Sequence, residues 1–205
     1  MKTVFTSLGI LLCTFLFIAA TPDGAYAPGS KAIDFKLKNT DGKMVSLADY
    51  KDAKGFILTF TCNHCPFSKA YEDRIIALHN KYSKLGYPVV AINSNDKTIA
   101  PEDSYDGMVE RAKEKNFPFA YLYDESQDIA KTYGATRTPH MYILKKEGND
   151  LVVKYVGAID DNSDDPSAVT KKYVENAMDE LIAGKEVTTN STKAIGCTIK
   201  WKGTK

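Results

Sequence analysis

The chain has 205 residues, of which 43% are hydrophobic and 26% are charged, and its formal net charge is +1. This composition is typical of a globular protein, and lysines scattered among acidic residues argue against nucleic acid or an anionic surface as a partner. After residue 20 no apolar run approaches the length of a membrane span.

Residues 1–20 have the layout of a secretory signal. Lys2 precedes an apolar run from Leu8 to Ala20, after which the chain becomes polar. Cleavage is expected after Ala20, with Ala27 as the alternative boundary, and Cys13 belongs to the removed segment. An uncleaved run would tether the protein to the membrane, although it is short for a bilayer span. The sequence therefore predicts export to the periplasm or another extracytoplasmic compartment.

The rest of the chain predicts one α/β domain from residue 28 to residue 184, followed by a tail from residue 185 to residue 205. In chain order the predicted elements are strands at 33–37 and 44–47 around an Asp41-Gly42 turn, a strand at 56–60, a helix at 63–84, a strand at 88–92, helices at 106–115 and 127–133, strands at 140–145 and 151–156, and a helix at 166–183. The continuous apolar runs at 56–60 and 88–92 are typical of strands covered on both faces, so the helix between them predicts a βαβ unit.

The last helix and the tail have their own signals. Pro166 is expected in the first turn of the helix, and Gly184 is expected to end it. The tail is polar until residue 195, where an extended segment would place Cys197 on the same face as two apolar side chains. We expect a half-buried strand there, joined to the domain by a flexible linker.

The strongest chemical motif is Cys62-Asn63-His64-Cys65, between a buried strand and a helix. A thiolate at a helix N-terminus faces unpaired backbone amides and the positive end of the helix dipole, and a protonated His64 would add a cation. We therefore predict a redox-active pair in which Cys62 has a pKa well below the ordinary value of about 8.5. An inert disulfide or half of a zinc site are the alternatives, but no second ligand pair is spaced to complete a zinc site.

A second motif, Arg137-Thr138-Pro139-His140, lies just before a predicted strand. A cis bond before Pro139 would free the backbone of Thr138 to pair with an extended substrate chain, whereas an ordinary turn proline is the alternative. We assign Thr138, Pro139 and His64 to substrate binding.

These motifs, together with the Asp34-Phe35 and Asp41-Gly42-Lys43 hairpin, resemble the thioredoxin-like redoxins over residues 29–184. More narrowly, residues 60–67, 69–72 and 196–201 resemble the peroxiredoxin-like branch of the alkyl hydroperoxide reductase and thiol-specific antioxidant (AhpC/TSA) superfamily.

The resemblance implies a thioredoxin fold, in which helices flank a central mixed sheet, here with an N-terminal hairpin extension and a C-terminal tail. It also implies that Cys62 is an exposed attacking thiolate, that Cys65 is a buried resolving thiol, and that a cis-Pro139 faces them. The chain departs from thioredoxins because Thr61 replaces their tryptophan and because no carboxylate lies in the preceding strand. The proton acceptor for Cys65 is therefore unassigned.

Three functions fit these residues. The leading one is an exported thiol-disulfide oxidoreductase that acts on protein thiols or disulfides with a separate redox partner, and that needs neither a cofactor nor a resident metal. The second is a thiol peroxidase in which Cys62 forms the sulfenic acid and Cys65 or Cys197 resolves it. The third is a copper-binding module in which His140 or Met141 joins Cys62 and Cys65.

Cys197 is an odd cysteine in a chain that is predicted to be exported. We expect it to have a catalytic role: the tail would dock beside the Cys62-Cys65 pair, where Cys197 could attack a mixed disulfide or sulfenate on Cys62. A buried, inert cysteine that only packs the tail is the alternative.

Overall fold

A computed structural model describes residues 25–203, and the predicted signal at 1–20 lies outside the described residues. The elements are β1 Lys31–Ala32, β2 Lys36–Asn39, β3 Met44–Ser46, β4 Gly55–Phe60, α1 Pro66–Tyr82, β5 Val89–Asn93, α2 Tyr105–Glu114, β6 Ala120–Tyr123, α3 Asp128–Tyr133, β7 Arg137–Thr138, β8 His140–Glu147, β9 Asp150–Gly157, α4 Tyr173–Ile182 and β10 Cys197–Thr198. Within residues 25–203, no helix is both long enough and apolar enough to span a bilayer.

Eight strands form one mixed sheet in the order β1-β9-β8-β4-β5-β6-β2-β3, and β7 and β10 form a separate pair. β4, β5 and β6 are mutually parallel, and β8 is antiparallel to β4. Every residue of β4 and β5 is buried, as the continuous apolar runs predicted. The predicted α/β fold and its βαβ unit are thus confirmed.

Helices cover both faces of this sheet. Ile57 on β4 packs in a cluster with Ile75 of α1 and Met178 of α4. Its neighbour Leu58 belongs to a second cluster that includes Tyr133 of α3. Because successive residues of a strand point to opposite faces, one short strand supplies both cores and fixes the position of the residues that follow its C-terminal end.

The N-terminal hairpin and the sixth strand differ from the sequence prediction. The first hairpin strand, β2, begins later than expected because the Asp34 carboxylate accepts hydrogen bonds from the backbone amides of Leu47 and Ala48, which bends the chain before the strand. β6 was missed altogether, although it pairs with both β5 and β2. The hairpin therefore extends the sheet at the β6 edge.

The prediction of one helix over residues 166–183 is wrong at its start. Pro166 lies in a separate single turn of 3-10 helix, and α4 begins only at Tyr173. The intervening backbone is held out of the helix because Asp161 accepts hydrogen bonds from the amides of Thr170 and Lys171. The predicted end is confirmed, since Gly184 follows the helix with φ = +71°.

The first part of the tail is packed against the domain instead of forming a flexible linker. Val187 is buried in the core beneath α4. The amide of Val156 on β9 donates to the carbonyl of Asn190, and Thr192 donates back to Val156. These contacts carry the chain along β9 and deliver β10 to the end of the sheet where the Cys62-Cys65 motif lies.

Candidate active site

The Cys62-Cys65 motif occupies the turn between β4 and α1, as predicted. Cys65 is the residue before the first turn of α1, and Pro66 is the first residue of the helix. Both cysteines are buried, with Cys62 only 3% exposed and Cys65 fully covered. The expectation of an exposed Cys62 is therefore wrong.

The disulfide in the structure joins Cys65 to Cys197, which lies 132 residues away in sequence, with 6.1 Å between the two Cα atoms. Cys62 is a free thiol. As expected, the tail docks beside the Cys62-Cys65 pair, but the cysteine that Cys197 contacts is Cys65 and not Cys62. Cys197 is partly buried and Cys65 is fully buried, so Cys197 is the more exposed residue of the disulfide.

Two hydroxyl groups surround the free thiol of Cys62. Its Sγ lies 3.2 Å from the Thr138 hydroxyl and 3.6 Å from that of Ser68. Burial raises the pKa of Cys62, the nearby Asp103 carboxylate raises it further, and these hydrogen bonds lower it only in part. The prediction of a depressed pKa does not hold in this oxidised form, because desolvation and a negative charge oppose the thiolate.

We expect the alkylation rate of Cys62 in the oxidised protein to rise with pH with an inflection above the ordinary thiol value of about 8.5. The reason is that a raised pKa keeps Cys62 protonated, and therefore unreactive, at neutral pH. Iodoacetamide labelling followed by mass spectrometry measures this rate, with a short unfolded cysteine peptide as the reference. An inflection below that of the peptide would show that the helix N-terminus outweighs burial.

Asp103 is a site residue that the sequence analysis missed. It ends a single turn of 3-10 helix at Pro101–Asp103 and is fully buried. One carboxylate oxygen accepts the backbone amides of Asn63 and His64, at 2.6 and 3.2 Å. The other accepts His64 Nδ1 at 2.5 Å and Asn95 Nδ2 at 2.6 Å. Asp103 therefore fixes both residues between the two cysteines.

In the sequence, Asp103 looks like an acidic residue at the start of a helix and not like a residue of the active site. It stands just before Ser104, whose hydroxyl accepts the amide of Gly107 and caps α2. An acidic residue at that place is typical of an ordinary helix start. The structure thus places a carboxylate near Cys62 from a loop after β5 and not from β4.

One group of described residues could hold a metal ion: Cys62, His64 and Asp103 each offer a ligand atom, all within 4.8 Å of one another. Each oxygen of Asp103 already accepts two hydrogen bonds, however, so an ion would have to displace them. The ligand set predicted for copper is not assembled either, because Cys65 is in a disulfide and His140 lies outside this group.

The Thr138-Pro139 peptide bond is cis, as predicted. Thr138 lies against both cysteines, since its hydroxyl contacts Cys62 and its carbonyl oxygen is 3.4 Å from Cys65 Sγ. Next in the chain, His140 Nδ1 accepts the amide of Thr136, and burial lowers the pKa of His140 to about 4. His140 is therefore neutral at physiological pH and adds no positive charge to the site.

The sheet order, the cysteine motif at the start of α1 and the cis-proline opposite it define a thioredoxin fold. A model of the AhpC/TSA family matches residues 28–154, and the chain belongs to this family. The crystal structure of an uncharacterized conserved protein from Geobacillus kaustophilus is similar at 40% sequence identity, with a TM-score of 0.79, covering 87% of this chain and 94% of that chain.

Two curated relatives carry different names. Thiol-disulfide oxidoreductase ResA of Bacillus thuringiensis subsp. konkukian is 27% identical over 123 residues, covering 58% of this chain and 65% of the relative. The chloroplastic peroxiredoxin Q of Triticum aestivum is 30% identical over 149 residues, covering 65% of this chain and 59% of the relative. The chain thus spans less than two thirds of the length of either relative.

Proposed function

We propose that this protein is an exported thiol-disulfide oxidoreductase that exchanges disulfides with protein substrates through three cysteines. The observation that carries this proposal is a free Cys62 beside a Cys65–Cys197 disulfide, at the cis-Pro139. The similarity to ResA supports the reaction class. The sequence pattern of residues 1–20 supports export, which N-terminal sequencing of the secreted protein would test.

The three cysteines suit a relay of disulfides. The thiolate of Cys62 attacks a substrate disulfide, forming a mixed disulfide and releasing one substrate thiol. Cys65 attacks Cys62, which releases the second substrate thiol and leaves a Cys62–Cys65 disulfide. Cys197 then attacks Cys65, which forms the disulfide seen in the structure and returns Cys62 to a thiol. A dithiol redox partner closes the cycle by reducing Cys65–Cys197, and each step is reversible.

Asp103 and His64 have a positioning role in this relay. The Asp103 carboxylate accepts four hydrogen bonds, one of them from the His64 ring, and so fixes the orientation of that ring. Cys62 lies within 4.8 Å of both groups, so Asp103 and His64 hold the residues beside the attacking sulfur in place.

Replacing Cys65 by Ser is expected to trap the first intermediate. Cys65 is the thiol that resolves the mixed disulfide in the relay, and Cys197 contacts Cys65 and not Cys62. Without Cys65 the mixed disulfide between Cys62 and a protein substrate should therefore accumulate as a band on non-reducing gels. Ribonuclease with scrambled disulfides supplies a defined substrate, because the Cys62 thiolate can attack its disulfides and release one ribonuclease thiol. The double variant Cys62→Ser, Cys65→Ser is the control, and an equal band in that control would contradict the assignment of Cys62 as the attacking thiol.

A thiol peroxidase is the second candidate. The similarity to peroxiredoxin Q supports it. The cavity that adjoins Cys62 between Ile75 and Tyr121 has a volume of about 10 Å³, which is about the room of one water molecule and less than hydrogen peroxide needs. The hydroxyl of Thr59, three residues before Cys62, makes no hydrogen bond within residues 25–203, so none links it to the Cys62 thiol. We therefore rank this candidate second.

A further inference from the structure

The tail lies in an extended conformation across the edge of the active site. β10 pairs with β7 in antiparallel register, with Cys197 opposite Thr138 and Thr198 opposite Arg137. The amide of Ile199 donates to the carbonyl of Thr136 at 3.2 Å, which continues the pairing by one residue. The strand that carries Cys197 thus lies in a groove along β7, beside the Cys62-Cys65 motif.

Gly196, the residue before Cys197, has no room for a side chain. A Cβ atom on Gly196 would lie 2.2 Å from the carbonyl oxygen of Thr138 and 3.1 Å from the nitrogen of Pro139. Both neighbours are backbone atoms of the loop that contacts Cys62 and Cys65, so they have little freedom to move. Only a residue without a side chain fits at this position of the groove.

Ile199, two residues after Cys197, lies in an apolar pocket. Ile199 is 3% exposed and belongs to the cluster that contains Phe60 and Leu58 of β4. Removal from water favours an aliphatic side chain there, whereas Thr198 between the two positions is exposed.

The other contacts of the groove are hydrogen bonds to the backbone of the tail. The amide of Lys200 donates to Asn95 Oδ1, and its carbonyl accepts from the amide of Asp96 and from Gln127 Nε2. Gln127 Oε1 also accepts the amide of Lys202. Because backbone groups are the same in every chain, these contacts would hold any extended segment that satisfies the two side-chain positions.

We propose that this groove is the docking site for an extended segment of a protein partner in which a glycine precedes the reactive cysteine and an aliphatic residue follows two positions after it. The chain's own tail is its occupant in the structure. The proposal rests on the proposed function, because the docked cysteine would lie against Cys65, the partner of Cys197 in the structure. The tail and the partner compete, and the Cys65–Cys197 disulfide locks the tail in place until it is reduced.

The tail has a large advantage in this competition because it is part of the same chain. An attached segment acts at an effective concentration in the millimolar range, so a free peptide is excluded until the tail is displaced. The Gly196→Val variant displaces it with all cysteines intact. Ile195→Ala is the matched control, because Ile195 is adjacent and 46% exposed.

The test is fluorescence anisotropy with a labelled peptide of residues 193–202 carrying Cys197→Ser, which docks without exchanging. With every protein reduced, we expect Gly196→Val to bind this peptide at least tenfold more tightly than the wild type and the Ile195→Ala control. A second peptide that also carries Gly196→Val should bind at least tenfold more weakly than the first. Equal binding of the two peptides, or no binding to the Gly196→Val protein, would overturn the proposal.

Two further measurements separate the possible failures. Ile199→Ser provides a second protein whose tail is displaced, and thermal unfolding shows whether each variant folds. Exchange with oxidised glutathione, compared with Cys62→Ser, reports the proposed function without the groove. If exchange depends on Cys62 but the peptide does not bind, the docking proposal fails alone. If exchange does not depend on Cys62, the proposed function fails whatever the peptide does.

Discussion

Replacing Cys62 by Ser is expected to slow disulfide exchange by about 10³-fold or more, the scale of loss when a catalytic nucleophile is removed. In the proposed relay Cys62 is the only sulfur that attacks the substrate, and serine has no comparable nucleophile at neutral pH. The rate of insulin reduction with dithiothreitol as the electron donor measures the effect.

Cys197→Ser is the matched control, because it removes a cysteine from the same site. It should still allow the first exchange, since Cys62 and Cys65 remain. A Cys62→Ser protein that keeps more than about a tenth of the wild-type rate would contradict the assignment of the nucleophile. Consumption of hydrogen peroxide by the same proteins separates the two candidate functions: a wild type that is faster with peroxide than with protein disulfides would favour the peroxidase.

Replacing Asp103 by Ala is expected to lower the free energy of unfolding by at least about 3 kcal/mol. The substitution leaves four donors without their acceptor, and each buried donor that stays unpaired costs about 1–3 kcal/mol. Urea denaturation followed by circular dichroism measures the change. Glu102→Ala is the control, because its exposed side chain belongs to the same turn.

Asp103→Asn separates positioning from stability. It keeps the shape and part of the hydrogen bonding but removes the negative charge, so the Cys62 pKa should fall and the alkylation inflection should move to lower pH. A purely structural Asp103 would leave that inflection unchanged. Equal unfolding free energies for Asp103→Ala and Glu102→Ala would show that the four hydrogen bonds do not hold the loop.

The parts of the site that the sequence predicted correctly are local in sequence. Cys62 and Cys65 could be placed at a helix start because a buried strand precedes them and Pro66 follows. The cis bond could be proposed because Pro139 stands at the head of a strand. In each case the chemistry depends on neighbours within a few residues, which a single sequence displays directly.

The parts that the sequence could not supply depend on distant partners. Asp103 acts on residues about 40 positions earlier, and nothing near it in sequence distinguishes it from the acid of a helix start. The choice of Cys65 over Cys62 as the partner of Cys197 depends on how the tail crosses β7. The start of α4 moved because Asp161 binds backbone amides nine and ten residues later.

The burial of Cys62 also depends on residues that are distant in sequence, so the sequence motif could not predict it. A helix N-terminus and a neighbouring histidine predicted an exposed, acidic thiol, because both features stabilise a thiolate. In the fold, Ser68, Thr138 and Tyr121 surround the thiol, and the Asp103 carboxylate lies near it. Desolvation and that charge depend on tertiary packing, and together they reverse the sign of the pKa shift.

The relay is tested most directly by a time-resolved map of its disulfides. The reduced protein is mixed with a stoichiometric disulfide substrate, quenched with acid at intervals, alkylated, digested and analysed by mass spectrometry. The account predicts that a Cys62–Cys65 peptide pair appears first and then gives way to Cys65–Cys197 with Cys62 alkylated. A Cys65–Cys197 disulfide that never forms, or one that forms at the same rate in Cys62→Ser, would contradict it.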